Sequence, residues 1–186
     1  MTERDYIQDH KDETDRYASR EDFRRIFTED LDGLYHLSFL LTRDPQTAEQ
    51  CFVEGLEDCV AGSSVFREWA RSWAKRAIIQ NAIRELKPRP GLSNSSASAA
   101  IFLDIDQLSS GPANHFEIDA VFGLEDYERF VFVMSVLEHY SQHDCALLLG
   151  CSVPEVREAH IRALNDLAHS PYMDRSQNQI VVQEKK

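Results

Sequence analysis

From Phe23 onward, apolar residues return every three or four positions: Phe23, Ile26, Phe27, Leu31, Leu34, Tyr35 and Leu41. That interval places them on one side of an α-helix. The pattern is interrupted at Thr42–Pro45, where Pro45 suits the first turn of a new helix after Asp44. The next helix is expected through "QTAEQCFVEGLEDCV", and "AGSS" (61–64) breaks the chain again. In "VFREWARSWAKRAIIQNAIREL", Phe66, Ala70, Trp73 and Ala77 share one side, with Arg67, Arg71 and Lys75 forming a stripe opposite them. After Ala77 the apolar positions (Ile79, Ala82, Ile83, Leu86) move to another face, so this helix either bends or packs on two sides.

"KPRPGLSNSSASAA" has the composition of a linker, and "IFLDIDQL" is a short apolar island within it. A second helical block opens at Leu124, with Tyr127, Phe130, Val131, Met134 and Leu137 as its apolar stripe. "SQHDCALLLG" then predicts a short helix ending at Gly150, a good left-handed terminator. Ser152 and Glu155 form an S-x-x-E capping box for a last helix, with Pro154 in its first turn and Val156, His160, Ala163, Leu164 and Leu167 on one side. No strand pattern of any length occurs. The expected fold is all-α: two small helical domains (21–87 and 118–169) joined by a flexible linker (88–117), the second a helix-turn-helix domain. A mobile acidic lead (1–20) and a polar tail (170–186) flank them.

Composition sharpens this picture in one respect. The net charge of −12 over 186 residues excludes a surface that is basic throughout. The charge is uneven, however: residues 65–90 carry seven basic and two acidic side chains, whereas residues 1–64 carry seven and sixteen. The cationic segment therefore coincides with the third expected helix. Cys51, Cys59, Cys145 and Cys151 form no C-x-x-C pair. His143, Cys145, Cys151 and His160 fit no standard zinc spacing, so buried free thiols are expected, with no metal and no cofactor. "LSFLL" is too short to span a bilayer, and the polar, acidic N-terminus is no signal peptide, which points to a cytoplasmic chain.

Two segments offer chemistry. The stripe of Arg67, Arg71 and Lys75 could neutralise phosphates, and tryptophan edges beside it could stack unpaired bases. The same pattern also describes a solvated positive face with the tryptophans in the core. The 147–164 segment could enter a DNA groove and present Pro154, Glu155, Arg157, Glu158, Ile161 and Arg162. Its carboxylates suit the helix dipole but repel phosphate. An αα-hairpin used for packing or protein contact fits these residues equally well. His160 is expected in the core. No G-x-S-x-G, H-E-x-x-H or P-loop is present, so an enzyme is not expected.

Together these segments resemble a bacterial RNA polymerase sigma factor of the two-domain, extracytoplasmic-function type, over about Phe23 to Leu167. In "LYHLSFLLTRDPQTAEQCFVEGLED", Leu34, Tyr35, Leu37, Leu41, Thr42, Asp44, Pro45, Ala48, Glu49 and Glu54 match the family's first conserved region. Phe66, Trp69, Ala74 and Arg84 match its minus-ten helix, with Lys75 for a usual arginine. Glu128, Arg129, Leu149 to Val153, Val156, Arg162 and Ala163 match its minus-thirty-five domain, with Arg157 for lysine. The departures are Gln50, Val53, Arg76, Gln80, Ile83, Glu158 and Ala159.

The resemblance implies a transcription initiation factor that binds core RNA polymerase and promoter DNA, with an anti-sigma regulator as a further partner and no membrane. Polymerase contact would fall on Ala48, Glu49, Phe52, Glu54 and Leu56. DNA contact would fall on Arg67, Arg71, Trp73, Lys75, Arg76 and Arg84, with Arg157 and Arg162 in the second domain. The acidic recognition helix and the overall charge also allow a sigma-like protein-interaction module that binds polymerase or a regulator without reading DNA.

Overall fold

The computed structural model describes residues 16–62, 64–91 and 118–169. Most of the expected linker, its "IFLDIDQL" island, the first fifteen residues and the tail lie outside the described residues. The fold is all-helical, as the periodicity predicts. The chain forms two compact units, Met1–Glu85 and Leu86–Lys186.

In the first unit, the apolar run from Phe23 to Leu41 makes two helices rather than one, α1 (Arg20–Glu29) and α2 (Leu31–Thr42). The break is Asp30, whose φ of −116° leaves helical geometry while its N–H still closes the last turn on Ile26. Ser19 and Asp22 cap α1 reciprocally, each side chain taking up the other's backbone N–H. α2 ends at Arg43 in the left-handed conformation, and Asp44 caps α3 (Pro45–Ala61) by accepting from Thr47 N–H at 2.7 Å. Phe23, Ile26, Phe27, Leu34, Leu37, Leu41, Ala48 and Cys51 fill the core between these helices.

A single 3₁₀ turn (Arg67–Trp69) leads into α4 (Ala70–Leu86). α4 is continuous and packs on two sides, burying Ala70, Ala74, Ala77 and Ile78 along with Ile79 and Ala82. It lies close to α3 because Gly55 has no side chain: a Cβ there would sit 2.9 Å from Ile78 Cγ1.

In the second unit, residues 118–122 are helical and α5 (Asp126–Phe132) runs into a wider π turn (Val133–Leu137). The extra residue in that turn rotates the chain beyond it. Tyr127, Phe130, Val131 and Met134 are buried as the stripe requires, whereas Leu137 is turned out and 42% exposed. α6 (Gln142–Leu149) ends at Gly150 with φ 66°, and the Ser152–Glu155 capping box opens α7 (Val153–Ala168), both as the sequence predicts. The buried side of α7 is Val156, Ala159 and Ala163. Leu164, expected inside, is 44% exposed.

Candidate nucleic-acid and partner interface

The cationic segment begins outside its helix. Arg67 lies in the 3₁₀ turn that precedes α4, so the expected i, i+4, i+8 stripe is not one helical row. An extended strap runs beside it. Arg16–Ala18 pairs antiparallel with Val65–Arg67, Ala18 N–H donating to Val65 O at 2.7 Å and Arg67 N–H to Arg16 O at 2.8 Å. Arg16 to Ser19, which fall in the expected mobile lead, are thus tied into the first unit.

Carboxylates of the same unit meet most of the predicted guanidinium groups. Arg67 lies 3.3 Å from Asp22. Arg71 reaches Glu29 at 3.3 Å and Asp30 at 3.4 Å, from the junction of α1 and α2. Arg84 donates to Asp58 of α3 at 2.7 Å, and buried Asn81 donates to the same carboxylate at 3.0 Å. Asp22, Glu29, Asp30 and Asp58 are thus set against three of the basic side chains of residues 65–90. Each such surface pair adds only ~0–1 kcal/mol to stability. Their larger effect is on the local field: a guanidinium beside its own carboxylate has less charge left for a phosphate. Ser19's two hydrogen bonds, with smaller help from Arg67 and Arg25, hold the Asp22 carboxyl below the usual aspartate range, so it stays ionised opposite Arg67.

Lys75 and Arg76 are half-buried on α4. The tryptophans are not in the core: Trp69 is 57% exposed and Trp73 37%. Phe66 stacks on Tyr17 of the strap, with ring centroids 4.9 Å apart, and meets Trp69 edge-on at 5.2 Å. Neither the strap nor Tyr17 was marked by any periodic signal, because the contact joins positions 49 residues apart.

The predicted polymerase-facing residues divide. Ala48 is completely buried, and its carbonyl accepts from Ser38 Oγ at 2.8 Å, so no partner can touch its side chain. Phe52 is half-buried against the rings of Phe27 and Tyr35. Glu54 and Leu56 are half-buried, Glu54 accepting from Gln50 at 2.9 Å. Glu49 is exposed, and with Gln46, Gln50, Val53 and Glu57 it makes the open face of α3.

In the second unit Arg157 is exposed, while Arg162 turns toward its own domain, its Nε donating to Glu128 at 2.6 Å. Glu128 is buried in α5, and its hydrogen bond raises the Arg162 pKa. Ala159 is buried and cannot face a groove. Glu158 and Ile161 are exposed beside Arg157. His160 is half-buried, its Nδ1 2.8 Å from Ser135 Oγ. Arg129, fully buried, donates to Leu124 O and to Asp126, and so braces the start of α5.

Cys51, Cys59 and Cys145 are buried, which pushes their thiols up to about 11, 12 and 11. Tyr127 hydroxyl donates to Cys151 Sγ at 3.1 Å. Among the described residues no group of His, Cys, Asp and Glu is placed to hold a metal, and no helix is long and apolar enough to cross a membrane.

No family model and no curated protein matches the chain. One similar solved structure is the sigma factor RpoE in complex with the anti-sigma factor NepR from Bartonella quintana. It is 20% identical, with 79% of this chain and 94% of that chain covered, at a TM-score of 0.48.

Proposed function

We propose that the chain is a sigma-like protein-interaction module that docks on core RNA polymerase and does not read duplex DNA. The observation that carries this reading is the internal pairing of Arg67, Arg71, Arg84 and Arg162, four of the seven arginine and lysine side chains expected to meet DNA. The family resemblance in residues 34–54 supplies polymerase as the partner. Docking falls on the open face of α3, where Glu49, Val53 and Glu57 present an acidic surface with one exposed aliphatic side chain, suited to a basic patch.

Immobilised protein is expected to retain purified core polymerase, and E49K/V53R/E57K is expected to abolish retention without unfolding. No retention by the parent chain removes the reading.

A specific observation favours promoter recognition as the second reading. Trp73 is exposed and Lys75 and Arg76 are half-buried on α4, with Trp69 exposed in the turn that leads into it, so aromatic and cationic groups share one segment. Under this reading, polymerase with the protein initiates from a defined promoter, and R71A/W73A/K75A lowers initiation. Unchanged initiation rejects it.

A further inference from the structure

Among the described residues, the strap is the one place where the chain binds itself in the manner of a bound peptide. Tyr17 and Phe66 are directly opposed, and the two backbone hydrogen bonds lie on either side of them. A pair of this type brings the two side chains close together, and the rings stack at an interplanar angle of 18°. Among the described residues, three of the strap take part. Beyond them Ser19 turns into α1, held by its own capping box with Asp22.

These two backbone hydrogen bonds and the partly exposed stack are a small offset to the ordering of those residues, so displacing the strap costs less than opening the helices. What it leaves behind is defined: the Val65 carbonyl as acceptor, the Arg67 N–H as donor, and the Phe66 ring with Trp69 at its edge.

We infer that Val65, Phe66, Arg67 and Trp69 form a docking site for an extended segment of a partner protein that carries an aromatic residue. Arg16–Ala18 is its resident occupant in cis and must leave before the partner binds. The strap itself supplies the chemistry of recognition: one N–H to Val65, one carbonyl to Arg67, and a ring on Phe66. Strand addition to an exposed backbone edge, with a side-chain pocket for specificity, is an established way of binding peptides. The site lies apart from the face of α3 and needs neither polymerase nor DNA.

The test uses a labelled synthetic peptide of residues 12–20 (DETDRYASR), with fluorescence anisotropy read against the full chain and against a chain that begins at Ser19. The shortened chain is expected to bind at least tenfold more tightly than the full chain. A Tyr17→Ala peptide is expected to bind the shortened chain at least tenfold more weakly than the parent peptide. Equal binding by the two chains, no binding to the shortened chain, or indifference to the tyrosine overturns the inference.

Should the shortened chain fail to fold, Tyr17→Ala in the full chain decides. Amide exchange at Ala18 and Arg67 is expected to quicken at least tenfold while α4 amides keep their protection, and unchanged exchange at both overturns the inference.

Discussion

Arg162 marks the difference between a groove-facing arginine and a domain-bracing one, and the difference is measurable. Its Nε donates at 2.6 Å to Glu128, whose side chain is 8% exposed, while Arg162 itself is 48% exposed. Truncating a fully buried pair costs ~3–5 kcal/mol, because the surviving charge is left without a partner. A fully exposed pair is worth ~0–1 kcal/mol. Here the survivor of R162A is the buried carboxylate, but water can approach from the arginine side, so about 2 kcal/mol is expected. E128Q/R162A removes the stranded charge, and the cycle of single and double variants is expected to show a coupling of about 1–2 kcal/mol. Both tryptophans, Trp69 and Trp73, lie in the first unit, so fluorescence does not follow this loss. Native-state amide exchange in α5 and α7 does. The expected result is reduced protection there, with the tryptophan-monitored transition unmoved. A coupling below about 0.5 kcal/mol would show the contact to be an incidental surface pair and return Arg162 to the residues available for DNA.

If internal carboxylates are what quiet the cationic helix, then E29Q/D30N/D58N should release Arg71 and Arg84. Anisotropy with a promoter-length duplex is expected to show new binding whose salt slope steepens by about 2, near 0.9 per added phosphate contact, and an unchanged slope counts against the idea. Acid should weaken the first unit through Asp22 and Asp44, whose carboxyls are held low by Ser19 and Thr47 respectively. A lowered carboxyl stabilises the fold fully above the ordinary aspartate range and loses that contribution as pH falls through the folded value. Tryptophan-monitored melting should therefore drop in that window, and S19A should blunt the drop. With Cys51, Cys59 and Cys145 buried, a thiol reagent at mildly alkaline pH should modify Cys151 first and the other three only on unfolding. Equal rates for all four would contradict the packing.

Periodicity made the helices legible, and turn chemistry made their ends legible. Asp44-Pro45, Gly150 and Ser152–Glu155 stand in the structure where the sequence places them. Less visible were events that leave the apolar count unchanged. The break at Asp30 falls inside one unbroken three-and-four pattern, and the π turn at 133–137 shifts Leu137 outward without any change in composition. The candidate interface was legible as residue types but not as pairings. Arg71 meets carboxylates 41 and 42 residues away, Arg84 one 26 away, and Arg162 one 34 away. Local charge tallies cannot see partners at such separations, which is why a segment that reads as an open cationic ridge folds into a compensated surface. The small residue Ala48 matched a polymerase-contact pattern for a different reason: helix packing also wants a small residue there.

The proposal that charge compensation leaves this fold without a grip on the double helix is tested most directly by titrating the unmodified chain at low salt into a labelled promoter-length duplex. The expected result is binding no tighter than that of an acidic control protein. Saturable binding that weakens steeply with added salt and disappears in R71A/W73A/K75A would contradict it.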